Sequence, residues 1–303
     1  MTQSSFTPRF YRTSTPTPGR QRRISSASAA LLVLATTLSA QARAQDAELV
    51  SLINDYRGAE EACDGSQPKV VSPLAPNEAL ALPPAKSGTQ LQEQLQASGY
   101  RPAKLQAISI SGPTDAQTAM QALKQRYCAP LRSQDFAEVG VAREGNTWQV
   151  LLAKPLLAPD LGDWAQVGKT ILEKVNEARG KPRTCGSQSF EAASALSWNA
   201  ELGDTALAHS QDMAKQSYFS HRAPDGSQVS DRASRAGYRW QRIGENIAAG
   251  QGSAEQVVAG WLASPGHCSN IMNPDFTEMG AAYAINKDSA AVSYWTQVFG
   301  TPR

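Results

Sequence analysis

The chain has 303 residues, 18% charged and 41% hydrophobic, and this composition excludes a bundle of membrane helices, a collagen and a charge-rich disordered protein. The formal net charge of +2 is unevenly distributed. Residues 1–44 hold six of the 29 basic residues and no acid, which leaves 23 basic against 27 acidic residues in 45–303. We expect no nucleic-acid partner, because binding to phosphates needs an excess of clustered Lys and Arg.

The N-terminal segment predicts an export signal. An Arg-bearing stretch ends at Arg23, and the apolar run at 29–35 is shorter than the roughly 20 residues that span a bilayer. A small-x-small pattern follows at Ala42-Arg43-Ala44. We expect residues 1–44 to be a signal peptide cleaved near Ala44, and the mature chain to be secreted, periplasmic or extracellular, without a transmembrane segment. The alternative is an uncleaved anchor or a cytosolic tail.

The remaining chain contains an internal repeat. The pattern N-x-x-R-G-x4-C starts at Asn54 and again at Asn176, and C-x6-D-F-x-E-x-G starts at Cys128 and again at Cys268. Two ordered patterns with their Cys in register indicate duplication. We therefore expect two copies of one domain, residues 45–158 and 165–303, joined by a linker at 159–164.

The repeat also bears on the disulfides. Four Cys allow three pairings, and two copies of one fold are expected to close the same bond. This favours Cys63–Cys128 and Cys185–Cys268. A bond between the copies, such as Cys63–Cys185, is the alternative.

Polar residues suited to chemistry occur in the second copy. All three His of the chain lie there, and the positions of Glu245 and His267 correspond to Ala107 and Tyr127 of the first copy. The first copy is therefore predicted to keep the fold without the site, and to have a structural or interaction role.

The elements of the second copy follow from its hydrophobic spacing. Apolar residues at helical spacing from Val167 predict a first helix that ends near Gly180, and a second helix is predicted from Leu196 to Gln216. A third helix is expected after a Gly-rich segment, with Ser253 as its N-cap. Two β-rich stretches, 280–285 and 291–299, predict an antiparallel hairpin. Helices followed by strands indicate an α+β domain.

The motifs of 165–303 resemble those of bacterial CAP-domain proteins, the superfamily of cysteine-rich secretory proteins, antigen 5 and pathogenesis-related proteins, whose domain is also called SCP. In family order they are Asn176-x-x-Arg179, Leu196-Ser197-Trp198-Asn199, Tyr218-Phe219-Ser220-His221, Ala223-Pro224-Asp225-Gly226, Gly244-Glu245-Asn246-Ile247-Ala248, Ser264-Pro265-Gly266-His267 and Tyr294-Trp295-Thr296-Gln297-Val298-Phe299-Gly300. The resemblance implies an α-β-α sandwich with an antiparallel sheet. It extends weakly, through the repeat, to 45–158.

The resemblance also implies a cavity with two His and two acidic residues. Matched by motif, these are His221, His267 and Glu245, while the position of the second acid holds Gln256. Glu255 is its neighbour but points about 100° away on a helix.

Two neutral imidazoles with water completing the shell suit Zn²⁺ or another divalent cation, and a carboxylate is able to orient a His or the bound water. We expect His221 and His267 to be the metal ligands. His209 is interpreted as an ordinary surface or packing residue. Cys268, next to His267, is a possible ligand, but the disulfide is favoured.

Two functions from different classes remain. The first is a secreted binding module whose cavity holds a metal and a small ligand, a lipid or a component of the cell envelope. The second is a metal-assisted hydrolase, peptidase-like, with Glu245 as the general base for a Zn-bound water. We favour binding over catalysis, since neither an HExxH motif nor a nucleophile elbow is present.

Overall fold

A computed structural model describes residues 26–63, 65, 69–156 and 161–303, with side chains from residue 41 onwards. Ala42–Arg303 forms one compact unit. Met1–Gln41 is a second unit, in which the described backbone from Ser26 is helical. The predicted signal residues before Ser26 lie outside the described residues. Among the described residues, no helix has the length and apolar character to cross a membrane.

The N-terminal part of the compact unit carries four strands on one sheet. The residues of α1 (Ser26–Gly58) from Ala42 onwards belong to it. Its further elements are β1 (Ala75–Pro76), a 3-10 helix (Glu78–Leu80), α2 (Gly88–Ser98), β2 (Pro102–Ser111), α3 (Ala116–Leu131), β3 (Glu138–Glu144) and β4 (Thr147–Pro155). The strand order is β1-β3-β4-β2. The first pair is parallel and the others are antiparallel.

The C-terminal part has a sheet of the same form. Its elements are α4 (Trp164–Arg179), β5 (Arg183–Cys185), β6 (Gln188–Phe190), β7 (Ser197–Trp198), α5 (Ala200–Gln216), α6 (Val229–Arg235), β8 (Trp240–Ala249), α7 (Ala254–Leu262), α8 (Pro265–Met272), β9 (Glu278–Ile285) and β10 (Ser293–Pro302). The strand order is β7-β9-β10-β8, again with a parallel first pair. The small strands β5 and β6 pair with each other.

Most of the predicted elements are confirmed. α4 ends at Arg179 before Gly180, the Ser253 side chain caps α7, and β9 and β10 form the antiparallel hairpin. The predicted start of the second helix at Leu196 is wrong. Ser197 and Trp198 pair with β9 as β7, and the Asn199 side chain then caps α5 by accepting a hydrogen bond from the Leu202 amide.

Helices cover both faces of the C-terminal sheet. Side chains alternate between the two faces along a strand. On β9, Ala281 packs in the cluster that contains Ile171 of α4, and Ala282 packs in the cluster that contains Leu202 of α5. The α+β class is therefore confirmed, as a sheet with helices on either side.

A buried Arg stabilises the loops of each part. Arg57 and Arg179 are fully buried, and each guanidinium donates to four backbone carbonyls. The acceptors are Ser72, Leu131, Ser133 and Phe136 for Arg57, and Ser194, Ile271, Asn273 and Phe276 for Arg179. Charge-assisted hydrogen bonds offset the cost of burying a guanidinium.

Both disulfides predicted within the repeats are confirmed. Cys63 is bonded to Cys128, and Cys185 is bonded to Cys268. A bond between Cys63 and Cys185 is therefore excluded. Cys268 is also excluded as a free thiolate ligand.

The two parts contact each other through β1 and the segment around α7. The Ala249 amide donates to Ser72 Oγ at 2.9 Å, and Gln251 Nε2 donates to the Pro73 carbonyl at 2.8 Å. Gln256 Nε2 donates to Glu138 Oε1 at 2.6 Å. These hydrogen bonds are buried or partly buried, so the polar groups that meet at this contact are paired with each other.

Candidate functional site

Glu245 lies at the centre of a group of charged side chains. Its carboxylate accepts from Arg232 Nη2 at 2.6 Å through Oε2, and from His221 Nδ1 at 2.9 Å through Oε1. The side chain of Glu245 is 2% exposed, whereas that of His221 is 51% exposed. A buried carboxylate therefore holds an exposed imidazole.

The sheet places Glu245 toward α5. Glu245 on β8 pairs with Val298 on β10, and paired residues share a face. Val298 packs against Leu202 of α5. The next residue, Asn246, points to the opposite face, where its Nδ2 donates to the His267 carbonyl at 3.2 Å.

Arg232 connects Glu245 to the loop that carries His221. Its Nη1 donates to the carbonyls of His221 and Ser227, each at 3.1 Å. In the segment between His221 and Ser227, the Gly226 amide donates to the Ala223 carbonyl, and Gly226 adopts a positive φ of +85°. Glycine takes this conformation without steric cost. The turn and Arg232 together set the position of the imidazole.

Opposing effects act on the pKa of Glu245. Burial alone raises it, but the hydrogen bond with His221 and the neighbouring charge of Arg232 outweigh burial and lower the pKa below its ordinary value. Glu245 is therefore an anion at neutral pH. It suits an orienting role better than proton abstraction.

His209 belongs to this site, which the sequence analysis missed. Its side chain is fully buried, and its Nε2 lies 3.0 Å from the Ser220 carbonyl and 3.9 Å from Glu245 Oε1. Burial lowers the pKa of His209, so its imidazole is neutral. Sequence offered one signal, because His209 lies on the same face of α5 as the apolar residues Leu202, Ala206 and Met213.

His267 lies on α8 next to the Cys185–Cys268 disulfide. Its Nδ1 is 2.8 Å from Ser264 Oγ. Burial, and secondarily the charge of His221, lowers the pKa of His267 to about 3, so this imidazole is neutral as well. Its Nε2 has no hydrogen-bond partner among the described residues.

The structure does not bring Glu255 or Gln256 to this group. Glu255 is exposed. The Gln256 side chain accepts from the Gly252 amide at 2.7 Å and donates to Glu138, so it serves the contact between the two parts of the chain. Within the described residues, no group of three or more His, Cys, Asp or Glu has the arrangement of a metal site.

A cavity of about 560 Å³ opens beside His221. The C-terminal part contributes Tyr218, Phe219 and Ile247 to its wall, and the N-terminal part contributes Val70 and Gln134. A volume of this size accommodates a small ligand.

Comparison with known proteins places residues 172–299 in the family model "CAP: Cysteine-rich secretory protein family". The chain is 35% identical over 131 residues to the uncharacterized protein YkwD of Bacillus subtilis (strain 168), covering 43% of this chain and 46% of that protein. It is also 35% identical over 85 residues to the uncharacterized membrane protein YlbC of the same organism, covering 28% of this chain and 25% of that protein. The chain thus spans less than half the length of these curated relatives.

Among solved structures, the chain is similar to an extracellular protein containing a SCP domain from Bacillus anthracis str. Ames. The identity is 26%, the TM-score is 0.39, and the similarity covers 52% of each chain. Residues 172–299, which hold nearly all of the sequence motifs, therefore match the model of the cysteine-rich secretory protein family.

Proposed function

We propose that this protein is a secreted CAP-domain binding module, in which His221 presents its free imidazole face to a ligand in the neighbouring cavity. The observation that carries this proposal is the contrast between the buried Glu245 and the exposed His221 that it holds. A side chain fixed at one nitrogen and open at the other is prepared for recognition at small entropic cost. The ligand class is a small molecule, a lipid or a component of the cell envelope.

Secretion is supported by the two disulfides, since such bonds persist in oxidising compartments. The predicted cleavage position also suits the side chains around it. Residues 41–44 are exposed, whereas Gln45 contacts α3 by accepting a hydrogen bond from the Ala116 amide. Cleavage near Ala44 therefore retains Gln45 and its hydrogen bond with Ala116.

The N-terminal part, residues 45–158, is proposed to be a second copy of the CAP-like fold that lacks the site. Support comes from matched contacts: Asn54 exchanges two hydrogen bonds with the Leu74 backbone, as Asn176 does with Leu196. Tyr100 donates to Glu138, as Tyr238 does to Glu278. Its proposed role is to supply one wall of the cavity beside His221.

A divalent metal such as Zn²⁺ is proposed as a weakly held additional ligand. Each of His221 and His267 uses Nδ1 in a hydrogen bond and has Nε2 free of partners among the described residues, which is the donor pattern of metal-binding imidazoles. Glu245 is occupied by Arg232 and orients His221. Two protein ligands leave the other positions to water, so we expect lower affinity than that of a structural zinc site with four protein ligands.

The metal proposal is tested by calorimetric titration of the mature chain 45–303 with Zn²⁺. We expect His221→Ala and His267→Ala each to weaken binding by at least about tenfold, which corresponds to about 1.4 kcal/mol. Glu255→Gln is the matched control, because Glu255 is an exposed neighbour outside the site. Unchanged affinity in both His variants would show that the two imidazoles do not hold the metal.

The ligand proposal needs its own measurement. Palmitate and a soluble cell-wall muropeptide serve as probes, and the side-chain NMR resonances of His221 report on the cavity. We expect one probe to produce a saturable shift that Phe219→Ala weakens, since Phe219 lines the same cavity. If neither palmitate nor the muropeptide produces a saturable shift, the proposed binding site is contradicted.

The hydrolase remains the second candidate, but the contacts of Glu245 argue against its assigned base. A carboxylate that is 2% exposed, paired with Arg232 and lowered in pKa is a weak proton acceptor. If the hydrolase is correct, activity against a panel of ester and peptide substrates vanishes in His221→Ala and Glu245→Ala. Activity retained in those variants, or absent from the metal-supplied wild type, rejects it.

A further inference from the structure

A further cavity lies in the N-terminal part of the chain, between helix α1 and strands β1 and β3. Its volume is about 540 Å³. Most of its wall is apolar, with Val50, Pro76, Ala81 and Val141 among the lining residues. The residues that line the cavity beside His221 do not line this one.

The first strand pair has the same register in both sheets. Pro76 on β1 pairs with Val139 on β3, and Trp198 on β7 pairs with Met279 on β9. The next residue is an Asn in both parts, and its side chain caps the helix that follows. Pro76 therefore occupies the position in the N-terminal sheet that Trp198 occupies in the C-terminal sheet.

The backbone after these strands also crosses the two sheets at matching positions. A Cβ added at Gly140 of β3 would clash with the backbone of Leu80, and one added at Gly280 of β9 would clash with the backbone of Leu202. Leu80 follows Pro76 by four residues, as Leu202 follows Trp198. The surroundings of Pro76 and Trp198 are therefore directly comparable.

In the C-terminal part, the indole ring of Trp198 lies against two glycines. A Cβ added at Gly168 of α4 would lie 2.7 Å from Cη2 of this ring, and one added at Gly203 of α5 would lie 2.8 Å from Cζ2. Both separations are shorter than van der Waals contact, so the ring fits because these positions lack side chains. The space between α4, α5 and β9 is thus filled by an aromatic side chain.

The corresponding space of the N-terminal part is open. Asp46 and Ala81 correspond to the two glycines, since they lie thirty residues before and five residues after Pro76, as the glycines do relative to Trp198. Both line the cavity together with Pro76. Pro76 is exposed and has a smaller side chain than Trp, so the cavity occupies the place that an indole ring takes in the C-terminal part.

Charged groups restrict the ligand further. Asp46 and Glu78 bring two carboxylates to the wall, which favour an N–H donor or a cation and disfavour an anion. Arg43 also lines the cavity, but it precedes the proposed cleavage position near Ala44 and is absent from the mature chain.

We propose that this cavity is a ligand site for a planar aromatic ring of about indole size that carries an N–H donor and no negative charge. The ring packs on Val50, Pro76 and Val141, and the donor faces Asp46 and Glu78. The cavity volume accommodates such a ring with a short substituent. The site is separate from the cavity beside His221 and does not depend on the function proposed for that cavity.

The test is a titration of the mature chain 45–303 with indole and tryptamine, followed by the methyl NMR resonances of Val50 and Val141. We expect both probes to shift these resonances saturably, because an aromatic ring packed on the methyl groups changes their shielding. Indole-3-acetate, the anionic relative, and cyclohexylethylamine, which has a saturated ring, are expected to bind at least about tenfold more weakly than tryptamine. Absence of a saturable shift with indole and tryptamine, or equal binding of either relative, would overturn the proposal.

Variants that fill the cavity locate the binding. Asp46→Gly combined with Pro76→Trp reproduces the arrangement around Trp198, so the new side chain is expected to occupy the cavity and to abolish the shift. Pro76→Ala is the matched control and is expected to retain it. Ala47→Trp fills the cavity from an exposed position on α1, and is also expected to abolish the shift.

Urea unfolding checks that each variant folds, and Ala47→Trp keeps the test open if the double variant does not. Tryptamine binding that is unchanged in a folded, cavity-filling variant would place the ligand elsewhere and overturn the proposal. Zn²⁺ titration of the same variants reads the His221 site independently.

Discussion

Gln256 Nε2 donates a 2.6 Å hydrogen bond to Oε1 of Glu138, and so joins helix α7 of the C-terminal part to strand β3 of the N-terminal part. Glu138 is fully buried and also accepts from Tyr100 and Asn77. An acid at position 256 would face a second carboxylate at this distance. The amide at this position is therefore suited to the contact between the two parts.

We expect Gln256→Glu to destabilise the protein by about 2–4 kcal/mol at pH 7, because it replaces a donor by a like charge beside a buried carboxylate. Urea unfolding measures the loss. Glu255→Gln, the exposed neighbour, is the control and is expected to change stability by less than about 0.5 kcal/mol. Equal stability of wild type and Gln256→Glu would show that the contact contributes nothing.

Glu245→Gln tests the buried ion pair. The amide oxygen still accepts from His221, but the Arg232 guanidinium loses its counter-charge while it is 8% exposed. We expect a loss of about 3 kcal/mol in the free energy of unfolding. Adding Arg232→Gln is expected to cost less in this background than in the wild type, as a double-mutant cycle measures. Additive losses would contradict a coupled pair.

Stability is expected to fall as the pH falls from 7 to 4.5, in part because of His267. The folded-state pKa is lowered to about 3, whereas the unfolded chain takes up this proton near pH 6.5. Between these values the unfolded state binds more protons, so acidification favours unfolding. For this partly exposed side chain we expect about 1–2 kcal/mol. His267→Gln should remove that part of the pH dependence, and unfolding curves at both pH values compare the two proteins. An identical pH dependence would show that His267 does not contribute.

Removal of either disulfide is expected to cost about 4 kcal/mol, because the bonds span 65 and 83 residues and restrict the unfolded chain. The pairs Cys63→Ala with Cys128→Ala, and Cys185→Ala with Cys268→Ala, test this by thermal unfolding. Only the second pair is expected to weaken Zn²⁺ binding as well, because Cys268 directly follows His267 on α8. An equal effect of both pairs on Zn²⁺ would exclude a local role of the second bond.

Much of the secondary structure could be predicted from the amino-acid sequence. The spacing of apolar residues predicted α4, the N-cap Ser253 predicted the start of α7, and β-branched residues predicted the terminal hairpin. It did not predict β7 or β8. The two residues of β7 carry no periodic signal, and their strand conformation depends on pairing with β9. Such pairing is a property of the folded chain.

For the site, the motifs indicated His221, Glu245 and His267, but the surroundings of these side chains depend on how distant parts of the chain pack together. His209 and Arg232 join Glu245 because α5 and α6 cross the same face of the sheet, and Gln256 turns to Glu138 because the N-terminal part packs against α7. Helices and their caps can be predicted from local sequence because they depend on short-range propensity. The disulfide pairing could be predicted because the Cys occupy matching positions in the two repeats. Burial, charge pairing and cavity walls depend on residues that are far apart in the chain. Only the fold brings these residues together.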